Sequence, residues 1–133
     1  MTNSYSKCFA CGKDNPIGLK LNFSYSEQYA ISKFKLSEEY CGYPNVVHGG
    51  IIGTILDEAM AKIIIRNEDK AVTYGMITTY KKPVRPMTEY EVKSKIISIR
   101  RKIIKSKATI TDENGKIYAK AEATFFRLKN KEF

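Results

Sequence analysis

The spacing of apolar residues changes period twice along the chain. From Gly18 to Ser26, "GLKLNFSYS" sets Leu19, Leu21, Phe23 and Tyr25 at every second position, the signature of a half-buried strand. "YAISKFKL" carries the alternation on less regularly, and the two runs predict a hairpin. "SEEYCGYPNVV" then gathers Gly42, Pro44 and Asn45, which predicts an irregular connection. Near His48 the period becomes helical and stays so to about Arg66: Ile51, Ile52, Ile55, Leu56, Ala59, Met60 and Ile63 share one face. Gly50, Gly53, Thr54, Asp57 and Ala61 form a second stripe of small or polar residues. Apolar and small residues together cover most of the circumference, so this helix is expected to be wrapped by a sheet rather than laid on a surface. The charged run "NEDK" ends it.

Strand periodicity then returns in "AVTYGMITTYKKPV", "EYEVKSKIISI", "KIIKSKATITD" and "KIYAKAEATFFRL". Asn114-Gly115, between the last two, predicts a hairpin turn because both residues tolerate positive φ. Pro83 and Pro86 fall in a connection, where a missing amide donor costs least. Two strands, one long helix and four strands imply a mostly antiparallel α+β layer fold. The 133 residues fit one domain, 1–133, with no internal repeat or low-complexity linker.

Composition adds three constraints. Asp57, Glu58 and Lys62 interrupt the most apolar segment, so no run reaches the roughly 18 to 20 residues of a membrane span. The polar start, Met1 to Lys7, lacks the apolar core of a signal peptide, and three cysteines do not make a disulfide framework; a cytoplasmic chain with free thiols is expected. The net charge of +9 sits almost wholly in residues 67–133, with sixteen Lys/Arg against eight Asp/Glu. Such a field favours anionic partners, whether nucleic acid, anionic lipid or a phosphorylated small molecule.

The chemistry centres on "VVHGGIIGTILDEAMAKIII". Gly49 and Gly50 lie in the first helical turn, where amide hydrogens have no intrahelical acceptor and a ligand oxygen can approach closely. That is the outline of an oxyanion site, in which each donor is typically worth roughly 3 to 4 kcal/mol of barrier; tight packing alone would also explain the glycines. Asp57 lies seven residues beyond Gly50, about 10 Å along the same face. Both could serve one carbonyl only if the substrate is extended or a second subunit supplies one part. Asp57 has the character of a general base or nucleophile, or of a buried acid paired with a cation. Glu58 is rotated about 100° from it and answers to another environment, and His48 can be a base, a ligand or a helix-start residue.

These residues resemble the hotdog-fold acyl-CoA thioesterases. The resemblance rests on His48-Gly49-Gly50 opening the helix, Asp57 nine positions after His48, "LDEAMA", the "YKKPVRP" strand ending and the "CFACGKDNPIGLKLNF" opening, which together cover nearly the whole chain. It implies a hotdog fold: a long central helix wrapped by a curved, mostly antiparallel five- to six-stranded sheet, with two subunits joining their sheets and the site at the dimer interface. It also implies hydrolysis of an acyl-CoA to free CoA and a carboxylic acid in a dimer or tetramer, with no cofactor, metal, nucleic-acid or membrane partner. Asp57 would activate water or attack the thioester, the Gly50 or Gly49 amide would polarise the carbonyl, and His48 would open the site. Asn45, Glu58, Thr79, Lys81, Lys82, Arg85, Arg100 and Arg101 are the candidate substrate contacts, with Lys102 beside the last two. Two positions depart from family patterns: Gly42 stands where several branches carry Asn or Gln, with Asn45 nearer the His, and Ala61 stands where some carry Ser or Thr.

Two other readings use the same residues. A hotdog protein could bind acyl-CoA without hydrolysis or dehydrate a hydroxyacyl thioester, although the placement of the His before the helix glycines favours thioesterase. Alternatively Cys8, Cys11, Cys41 and His48 could form a Cys₃His zinc set in a basic nucleic-acid-binding module.

Overall fold

The computed structural model describes residues 5–67 and 69–128; Glu68 and most of the polar start read from Met1 to Lys7 lie outside them. The elements are β1 (Ser24–Ser26), β2 (Tyr29–Lys35), a 3-10 turn (Glu38–Tyr40), β3 (Cys41–Tyr43), β4 (Val46–Val47), α1 (Gly49–Arg66), β5 (Ala71–Tyr80), β6 (Glu89–Arg100), β7 (Ile103–Thr111) and β8 (Ile117–Arg127). Six strands form one sheet in the order β1-β2-β6-β7-β8-β5, with every neighbouring pair antiparallel. The helix lies against β2, β5, β6, β7 and β8. This is the hotdog arrangement expected from the resemblance.

The alternation in the long strands explains the layering. Val92 and Ser94 of β6, Ile104, Ala108 and Ile110 of β7, and Ala119, Ala121, Ala123 and Phe125 of β8 are buried against Ile52, Ile55, Leu56, Ala59, Met60, Ile63 and Ile64 of the helix. The alanine row of β8 leaves room for the helix to sit close to the sheet. Ser94 is buried on that inner face without penalty because its Oγ donates to the Ala59 carbonyl at 2.5 Å. Register shifts at Thr73/Gly75 in β5 and at Ile96/Ser98 in β6 bend the sheet around the helix.

Three local expectations are revised. The strand read over Gly18 to Ser26 shrinks to Ser24–Ser26. Lys20 takes a positive φ of 55°, and the amides of Leu19 and Leu21 bond the Phe9 and Ala10 carbonyls instead of a sheet neighbour. The alternation there reports burial, since Leu21 is in the core, but the pairing partner is the N-terminal segment. The connection read as irregular contains the 3-10 turn and a small β3–β4 hairpin, whose turn places Pro44 before Asn45 at φ 66°, as a type II turn prefers. At the β7–β8 hairpin only Gly115 has positive φ (82°). Asp112 Oδ1 accepts from the amides of Asn114 and Lys116, so the loop is longer than a two-residue Asn-Gly turn, with Gly115 in the left-handed position.

Candidate active site

The helix starts where sequence placed it, and His48 is its cap. His48 Nδ1 accepts the Gly50 amide hydrogen at 2.9 Å, which fixes the ring proton of the neutral imidazole on Nε2. The ring lies so close to Gly42 that a Cβ there would stand 3.0 Å from His48 Cδ2. Gly42, where an amide side chain was sought, is therefore the space into which the histidine folds. The His48 carbonyl accepts from Ile51 and Ile52. Among the described residues, Gly49 is left as the first-turn amide without an acceptor. Of the two expected oxyanion donors, Gly50 is occupied by its own cap and Gly49 is open.

The small-residue stripe faces β5, and the two elements run in opposite directions. The Tyr80 hydroxyl donates to the Gly49 carbonyl at 2.8 Å. One turn along, a Cβ on Gly53 would meet Tyr80 Oη at 3.6 Å and Met76 Cε at 3.9 Å. A further turn along, Thr73 Oγ1 donates to Asp57 Oδ1 at 2.8 Å. Burial pushes the Asp57 carboxyl above its ordinary value, and the Thr73 hydroxyl pulls partly against it. A carboxylate raised in this way is a better proton acceptor than an exposed one, as a general base requires.

Gly49 opens onto a cleft of about 700 Å³ lined also by His48, Tyr80, Lys81 and Lys82. Both lysine amides donate to the Tyr118 carbonyl just past the end of β5. Asp57 does not line it. Within one chain the carboxylate and the open amide remain about two helical turns apart.

The remaining candidates are dispersed. Arg85 donates to the Asn45 carbonyl at 2.9 Å, so these two sit together beside the cleft as a structural tie. Thr79 lies on the outer face of the sheet with Lys120 and Ile77, away from the helix. Arg100 ends β6 and Arg101 follows it in the β6–β7 turn, at the end of the sheet where β5 begins with Ala71 and hence at the opposite end from Lys81 and Lys82. Glu58 faces away from Asp57, pairing with Lys62 at 3.6 Å and approaching Cys8 and Cys11. Cys41 and His48 do not join those two cysteines, so the Cys₃His zinc set does not form. Sequence reading missed Thr73 and Tyr80. A threonine in a β-rich run gives no local sign that it will meet a helix carboxylate.

Comparison with known proteins agrees with this architecture. The thioesterase superfamily pattern matches residues 44–119, from the β3–β4 turn into β8. The acyl-coenzyme A thioesterase THEM4 of Mus musculus is 31% identical over 115 residues, covering 81% of this chain and 50% of the mouse protein. An uncharacterised protein of Schizosaccharomyces pombe is 37% identical over 68 residues, covering 50% of this chain and 39% of its own length. The chain thus spans about half or less of the curated relatives it matches. Thioesterase superfamily member 2 of zebrafish superposes with a TM-score of 0.77 at 18% identity, covering 93% of each chain. A Streptococcus mutans protein solved bound to acetyl-CoA gives 0.76 at 21% identity, covering 81% of this chain and 88% of its own. No described helix is long and apolar enough to cross a membrane. With a family pattern that spans more than half of its residues and a sheet wrapped around one long helix, the chain belongs to the thioesterase superfamily.

Proposed function

We propose that this chain, folded as a single domain, hydrolyses an acyl-CoA thioester at a site shared between two copies. The observation that carries the reading is the state of β5. This edge strand bonds both halves of the site, through Thr73 and Tyr80, and leaves Val72, Tyr74, Met76, Ile77 and Tyr80 exposed. A long, apolar, unpaired edge is a template for a second strand. An antiparallel two-fold pairing of two copies of β5 about its middle runs the Thr73 end of one strand along the Tyr80 end of its partner. Asp57 of one subunit then stands beside the Gly49 amide of the other, which removes the two-turn separation within one chain.

In this arrangement the thioester carbonyl points at the Gly49 amide, at the positive end of the helix dipole. Asp57 takes a proton from water, and the resulting hydroxide adds to the carbonyl carbon. The tetrahedral intermediate collapses with cleavage of the C–S bond, the CoA thiolate takes up a proton, and the acid departs. Direct attack by Asp57, through an anhydride that water then opens, uses the same geometry. His48 keeps the helix start in shape by holding the Gly50 amide. Lys81 and Lys82, which line the cleft, offer charge to the nucleotide phosphates.

The test follows free CoA released from short, long and aromatic acyl-CoAs. Asp57→Ala is expected to lose about 10²- to 10⁴-fold of the turnover with unchanged circular dichroism and oligomeric state. Unchanged turnover in that variant removes Asp57 from the chemistry. Saturable acyl-CoA binding without thiol release by the wild type overturns hydrolysis and leaves a binding protein.

A further inference from the structure

The N-terminal segment and the helix face that the active site does not use meet at one polar cluster. The Sγ atoms of Cys8 and Cys11 and a carboxylate oxygen of Glu58 all lie within 4.8 Å of one another, and all three residues are half-buried. Among the described residues this is the one group of three such donors. We propose that Cys8, Cys11 and Glu58 form a binding site for a borderline-soft divalent cation of the Zn²⁺ class, which staples the N-terminal segment to the helix.

The donor set suits that ion. Two thiolates and a carboxylate are ordinary zinc ligands at about 2.3 Å and 2.0 to 2.2 Å, and a tetrahedron with those bonds needs donors about 3.6 to 3.8 Å apart. Atoms already within 4.8 Å close to that spacing by side-chain rotation. The half-exposed setting leaves the fourth position to water. Binding displaces one proton from each thiol.

The surroundings balance the charge. A dication with two thiolates and a carboxylate carries one net negative charge, and the Lys62 ammonium, 3.6 Å from Glu58, neutralises it.

The loop that presents the sulfurs is built rather than loose. The Gly12 amide bonds the Cys8 carbonyl and the Asp14 amide bonds the Ser6 carbonyl, both at 2.8 Å. The chain folds back so tightly that a Cβ on Gly12 would stand 2.4 Å from the backbone of both Cys8 and Ser6. Asn15 closes the segment by donating to the Lys7 carbonyl and accepting from the Ile17 amide. Ala10, between the cysteines, is buried in the core. The two sulfurs are therefore held toward Glu58 before any ion arrives.

The experiment titrates Co²⁺ into the reduced, metal-free chain. The expected result is a thiolate-to-cobalt charge-transfer band that saturates at one equivalent and is abolished by Zn²⁺. Cys8→Ser and Cys11→Ser lose the band and Cys41→Ser keeps it, while Lys62→Met weakens binding about 10-fold. In the wild type, Zn²⁺ should protect Cys8 and Cys11, but not Cys41, from alkylation read by mass spectrometry, a measurement independent of variant folding. No cobalt–thiolate band, a band unchanged in the Cys8 and Cys11 variants, or alkylation unaffected by Zn²⁺ overturns the site. So does a chain in which Cys8 and Cys11 form a disulfide while the reduced form takes up no metal.

Discussion

Thr73, on the edge strand of the sheet, donates a 2.8 Å hydrogen bond to Asp57 on the central helix. This bond ties the carboxylate of the small-residue stripe to the strand proposed to join two subunits. It also opposes the effect of burial on that carboxylate, and the opposition can be read in pH profiles.

Thr73→Val removes the hydroxyl while conserving shape, leaving burial as the main influence on Asp57. Since burial raises the carboxyl and Thr73 lowers it, the pKa should rise further in the variant. The base acts when ionised, so the acid limb of kcat/KM should move to higher pH, with activity recovering well above the limb. A profile identical to wild type would mean that the titrating base is another group.

Asp57 also links stability to pH. Its folded-state pKa is raised above the ordinary 3.8, so its contribution to stability is fully present below the unfolded value and is lost as pH rises through the folded one. Asp57→Asn keeps an acceptor for Thr73 and removes the charge. The variant should gain stability relative to wild type as pH rises from about 4 toward neutrality, with the gain absent at lower pH. Urea midpoints measured across that range check the sign.

The shared-site reading predicts that dimerisation and activity fail together. Val72 and Ile77 are exposed by 42% and 76% and lie on the outer face of β5, paired with Phe126 and Glu122. Lysine at both positions places like charges across a two-fold strand pairing, a device that natural edge strands use against association. The double variant should elute as a monomer in light scattering and lose turnover by about the 10²- to 10⁴-fold expected for Asp57→Ala. A fully active monomer would place the whole site within one chain.

Much of the layer order was legible from periodicity. The helix from Gly49 to Arg66 and the four strands after it follow from spacings of 3.6 and 2 that tertiary context did not override. Thr79 shows where that legibility stops. Unbroken alternation from Ala71 would put Thr73, Gly75, Ile77 and Thr79 on one face. The bulge between Thr73 and Gly75 reverses the parity, so Thr73 faces the helix and Thr79 faces outward. Gly75 beside the bulge is its one local sign, since a glycine inside a strand often marks one, but which residues change face follows from the pairing with β8.

The acidic pair marks the same boundary. Sequence by itself determined that Asp57 and Glu58 point about 100° apart, because a helix leaves adjacent residues no other choice. Helix spacing also sets Lys62 one turn from Glu58, but tertiary structure decided what else each acid meets: Thr73 across the groove to the edge strand for Asp57, and the two N-terminal cysteines for Glu58. Those partners arrive from segments 16 residues downstream for Asp57 and from the N-terminal loop for Glu58. Their approach depends on strand register and loop docking, which the global packing sets and local periodicity does not encode.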